Sequence, residues 1–126
     1  MPELNMLLVE PETMLRRTVA LTARSLGMAN VHEAASVVAA RDLLRQQRFD
    51  GAILSIDANG GHDLALLDQL RQGRTISKAS IPVAVLAARC DSVLLEALRE
   101  RGVNRIIIKP FRARALLDTF AALAQG

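Results

Sequence analysis

The chain has 126 residues, 51% hydrophobic and 23% charged, which is enough for one core and too little for two, and which excludes a disordered tail. Sixteen basic and 13 acidic residues give a formal charge of +3, with the basic ones scattered and three Phe the only aromatics. Neither a polyanion-binding patch nor a base-stacking surface has material, so nucleic acid is not an expected partner.

Strand-like and helix-like stretches alternate from end to end. "NMLLV" (5–9) reads as a strand and leads to "ETMLRRTVALTARSLG", where Leu15, Val19, Thr22 and Leu26 recur at helical spacing before a glycine stop. "NVHEA" (30–34) leads to a second helix through Val37, Val38, Ala40 and Leu44, with Ser36 as its N-cap. "DGAILSI" (50–56) passes through a loop of Asn59, Gly60 and Gly61 to "DLALLDQLRQG". "PVAVLAA" (82–88) leads to "SVLLEALRERG", and "RIIIK" (105–109) leads through Pro110 to "RARALLDTFAALA".

Five strands, each followed by a helix, predict an α/β domain with a parallel sheet, over residues 1–126 as one unit. "MLLV", "AILSI" and "VAVLA" are apolar on both faces, as strands covered by helices on both sides must be. In such doubly wound sheets the site lies beyond the carboxyl ends of the strands. The residues there are Glu10, Pro11, Ser55, Asp57, Ala87, Ala88 and Lys109. No apolar stretch nears the roughly 20 residues that span a bilayer. The first residues lack the basic region of a signal peptide, and the single cysteine, Cys90, precludes an internal disulfide, so a reducing, cytoplasmic setting is expected.

"LLVEPE", "FDGAILS", "IPVAVLAA" and "ALRERGVNRIIIKPF", with Gly102 and Lys109-Pro110-Phe111 in place, resemble the CheY-like receiver domain of bacterial response regulators. The resemblance implies a flavodoxin-like, doubly wound, five-stranded parallel sheet of strand order 2-1-3-4-5, a cis peptide bond before Pro110 and a role in two-component signalling rather than catalysis. Receivers take a phosphoryl group from a histidine kinase onto an Asp at the end of the third strand. That Asp and an acidic pair after the first strand hold Mg²⁺. The chemistry needs several anionic oxygens around one hard octahedral cation.

Carried over position by position, the acceptor falls on Ser55 and the acidic pair on Glu10 and Pro11. The switch hydroxyl falls on Ala87, the switch aromatic on Ile106 and the proline after the acceptor on Asn59. Only Lys109 and one acid survive. A degenerate receiver is expected, without phosphorylation, with Mg²⁺ bound weakly or not at all and no other cofactor. Lys109 is expected to turn inward toward Glu10, Asp57 or Ser55 and stand in for the missing cation.

Such a module would act by binding a signalling partner or a second copy of itself. The face expected to do so is formed by the fourth helix, the fifth strand and the fifth helix, with Leu95, Arg99, Arg105 and Arg114 as candidates. Two rival readings remain: Asp57 as a relocated acceptor, and a cyclic-dinucleotide sensor using Arg112 and Arg114 beside Lys109. His32, in the second strand, and His62, at the start of the third helix, have no companions at metal-ligand spacing. Arg16, Arg17, Arg99 and Arg101 are expected on solvated helix faces.

Overall fold

The structure, a computed structural model, describes residues 4–124. The elements in chain order are β1 (Asn5–Val9), α1 (Thr13–Ser25), β2 (Asn30–Ala34), α2 (Val37–Gln46), β3 (Gly51–Ser55), β4 (Asp57–Ala58), β5 (Gly61–His62), α3 (Ala65–Arg71), β6 (Val83–Ala87), α4 (Ser92–Glu100), β7 (Arg105–Ile108) and α5 (Ala113–Ala124). Five strands pair in parallel in the order β2-β1-β3-β6-β7. This is the 2-1-3-4-5 order expected from the resemblance, once the short β4 and β5 are set aside.

Alternation along the strands splits the core into two layers. Leu7, Val9, Ala52, Leu54, Val83 and Val85 point toward α2, α3 and α4, where Leu44, Leu67, Leu70 and Leu98 meet them. Met6, Leu8, Ile53, Ala84 and Leu86 point the other way, onto Val19, Ala20 and Ala23 of α1 and Leu116 and Phe120 of α5. The central strands β1, β3 and β6 therefore need apolar residues at nearly every position, which is why they read as continuous runs.

Helix ends follow the local chemistry. Ser36 and Asp91 cap α2 and α4 through side-chain oxygens that accept from Ala39 N and Leu94 N. At the end of α4, Gly102 adopts φ 64° and its N–H donates to Arg99 O while Val103 N donates to Leu98 O. Only a residue without Cβ takes that left-handed turn cheaply.

Several helix expectations need correction. The buried stripe of α1 is Arg16, Val19, Ala20 and Ala23; Leu26 lies beyond the helix and is exposed, as is Val38 in α2. The buried positions 16, 19, 20 and 23 keep the i, i+3, i+4, i+7 spacing of one helix face, and Leu26 falls past the end of that face. The loop after β3 is a hairpin: Asp57 pairs with His62 and Ala58 with Gly61. Asn59 and Gly60 have φ 43° and 79°, the consecutive positive values of a two-residue turn that favours Asn-Gly. His62 therefore sits in a strand and not at a helix start.

Candidate functional site

The strand order reverses at β1, so the carboxyl ends of β1 and β3 open side by side. Glu10 follows β1 directly, its N–H donating to Ala34 O at 3.0 Å. The residue is 1% exposed. Its Oε2 accepts from Glu12 N at 2.9 Å, and its carbonyl accepts from Arg16 Nη1 at 2.9 Å. Arg16 is itself buried and donates to Glu33 Oε1 at 3.3 Å, so it is no solvated arginine.

Lys109 leaves β7 beyond Ile108, with its N–H on Ala87 O at 2.8 Å and a cis bond to Pro110. Its ammonium turns inward. Nζ donates to Ser55 Oγ at 3.0 Å and lies 3.1 Å from Glu10 Oε1 and 3.6 Å from Asp57 Oδ2. Glu10 Oε1 has no aligned hydrogen-bond donor, so Lys109 meets it as a charge and not as a directed bond. One ammonium thus serves two carboxylates and a hydroxyl, close to the three acceptors it can use.

Asp57 faces the same mouth from the hairpin. Both carboxylate oxygens accept from Ala88 N at 3.0 Å, and His62 Nε2 lies 3.9 Å from Oδ1. His62 Nε2 also meets Arg89 O at 3.2 Å, which requires the proton on that nitrogen. Ala87 is fully buried and offers only a methyl group. Pro11 is exposed.

An open groove of about 890 Å³ runs beside this mouth, lined by Glu10, Pro11, Met14, Leu15, Lys109 and Phe111 among others. Neither Arg112 nor Arg114 lines it; Arg114 lies 3.8 Å from Asp118, one helical turn on.

The family model for the response regulator receiver domain matches residues 6–121. The chain belongs to that family. The receiver is 27% identical over 115 residues to the chemotaxis protein CheY-3 of Vibrio cholerae, covering 91% of this chain and 87% of the relative. It is also 31% identical over 83 residues, 66% of this chain, to the sensory/regulatory protein RpfC of Xanthomonas campestris, of whose length the match spans 11%. Among solved structures, the non-phosphorylated HemR receiver domain of Leptospira biflexa superimposes with a TM-score of 0.82 at 21% identity, covering 96% of this chain and 94% of that one. HP1043, an orphan response regulator of H. pylori, gives 0.79 at 22% identity, covering 97% and 98%.

Receivers are two-component signalling modules, and the family implies Mg²⁺ at this mouth. The residues present in this receiver do not fit that ion. Mg²⁺ demands near-ideal octahedral oxygen ligation, whereas here Ser55 and Pro11 supply no carboxylate and the Lys109 ammonium already lies against Glu10. Among the described residues no group of three His, Cys, Asp or Glu side chains could hold a metal ion. No helix among them is long and apolar enough to cross a membrane.

Ile106, at the switch position, is half-buried and packs on the layer containing α4. Of the candidate interface residues, Arg99, Arg105 and Arg114 are exposed and Leu95 is half-buried. Sequence reasoning passed over Val93 and Ile108, large apolar side chains exposed on α4 and β7. Arg101, expected on a solvated face, instead pairs its guanidinium with Asp68 at 2.6 Å. Helical spacing could not reveal that pair, because Asp68 lies on a different helix.

Proposed function

We propose that this receiver does not accept a phosphoryl group and works as a constitutive protein-interaction module in two-component signalling. The observation that carries the reading is Ser55 at the acceptor position with its hydroxyl bound to Lys109, 3.0 Å away. A serine hydroxyl forms no acyl phosphate and supplies no anionic ligand. The cation that would otherwise grip a transferred phosphoryl is engaged by Glu10, Ser55 and Asp57.

Without a phosphoryl group no ligand favours one pocket state over another, so the population of the binding-competent state is set by the chain itself. The working face is α4, β7 and α5, where Arg99, Arg105 and Arg114 stand exposed near Leu95. Its partner is a signalling protein or a second copy, in the reducing cytoplasm that a lone Cys90 suits. The test is an intact mass spectrum after incubation with Mg²⁺ and a small-molecule phosphodonor. An unchanged mass supports the reading; a labile phosphoryl adduct, on Asp57 or elsewhere, overturns it.

A further inference from the structure

Besides helping to engage Lys109, Asp57 reaches a second donor. Ile56 N–H donates to Leu86 O at 3.0 Å, extending the β3–β6 ladder one residue past Ser55, and Asp57 is the first residue beyond it. The hairpin then fixes Asp57 by pairing it with His62 across the Asn59-Gly60 turn. From there its two oxygens take Ala88 N–H, both at 3.0 Å, and Oδ2 approaches Lys109 Nζ to 3.6 Å.

A backbone N–H and an ammonium converging on one carboxylate constitute an anion site. By the resemblance the family's acceptor position falls on Ser55 and its switch hydroxyl on Ala87. Ala88 adjoins Ala87, and Lys109 lies against Ser55. We propose that the Asp57 carboxylate permanently occupies the oxyanion site formed by Ala88 N–H and Lys109, holding the β6–α4 loop as a bound phosphoryl oxygen would. The inference rests on Ser55 being no acceptor, and it adds what fills the pocket instead.

The consequence reaches the interaction face by a short path. The loop from Ala88 runs to Asp91, the N-cap of α4, and α4 supplies part of that face. Restraint at Ala88 N–H therefore restrains the helix start. Removing the Asp57 carboxylate should free two donors and leave a site that a small tetrahedral oxyanion can enter.

The test uses the full chain, its Asp57→Ala and Asp57→Asn variants, and inorganic phosphate as probe, read on the Ala88 amide by NMR. In Asp57→Ala, hydrogen-exchange protection of Ala88 should fall by about tenfold, the loss of one charge-assisted bond. Phosphate should then shift that amide saturably in the millimolar range, and adding Lys109→Met should abolish the shift. Asp57→Asn, which keeps the shape and one acceptor, should lie between the variant and the native chain. Native-like Ala88 protection in Asp57→Ala, or a saturable phosphate shift in the native chain, overturns the proposal. A phosphodonor adduct in the mass spectrum would instead overturn the reading of Ser55, so the two failures are distinct.

Discussion

Glu10 keeps a carboxylate 1% exposed whose Oε1 lies 3.1 Å from the Lys109 ammonium. The pair itself adds little to stability, since Lys109 remains partly in water, but stripping the cation would strand a buried charge. Lys109→Met should therefore lower unfolding free energy by about 1 to 3 kcal/mol in urea denaturation. A second variant probes the chemistry. Ser55→Asp alone should stay unlabelled by a phosphodonor, because Pro11 still denies the metal a ligand; Pro11→Asp, Ser55→Asp and Ala87→Thr together have the needed groups. Strong labelling of the single variant would show that the acidic pair matters less than argued. His32 gives a pH dependence. Burial, and then the nearby Arg24 charge, hold its pKa below the ordinary 6.5. The unfolded chain then binds more protons than the native one just below pH 6.5, so stability is full above that pH and falls on acidification. Melting temperature should decline as pH drops below about 6.5, and His32→Asn should flatten that slope.

The element most dependent on one side chain is the long connection from α3 to β6. Arg71, the last residue of α3, donates to Ala79 O and Ile81 O at 2.7 Å in that connection. It also reaches Arg101 O at 2.7 Å and Gly102 O at 3.2 Å at the end of α4. Four carbonyls around one guanidinium tie α3, the connection and α4 together, and the carbonyl end of a helix favours a cation. Arg71→Gln should cost about 2 kcal/mol, with a fall in melting temperature of about 6 to 10 °C. Arg71→Lys should recover little of that loss, since an ammonium cannot span the fork. A melting temperature unchanged in Arg71→Gln would mean that packing, not the clasp, holds the connection.

Across the whole molecule, the sheet leaves β7 at an edge with Arg105 exposed at its start and Ile108 exposed at its end. Exposed apolar and arginine side chains are the types that anchor protein interfaces. Arg105→Glu or Arg114→Glu should weaken self-association, or capture of a signalling partner, as measured by sedimentation or pull-down. Because both side chains are solvated, melting should stay within about 2 to 4 °C of the native value. Unchanged association would move the interface elsewhere on the surface.

The alternation of five strands with five helices was legible because it is local: hydrophobic period, Ser36 at a helix start and glycine at helix ends act within one turn of chain. The unusual mouth was legible in part, since Ser55, Pro11 and Ala87 are missing groups, visible as letters. What only the folded chain decided are contacts over long separations. Arg71 reaches Gly102 across 31 residues, and Arg16 pairs with Glu33 across 17. No periodicity encodes those distances, because they are fixed by the order in which strands lie in the sheet. Asp57 shows the same division: its acid was plain in the sequence, but its grip on the Ala88 amide exists only because β3 and β6 are neighbours.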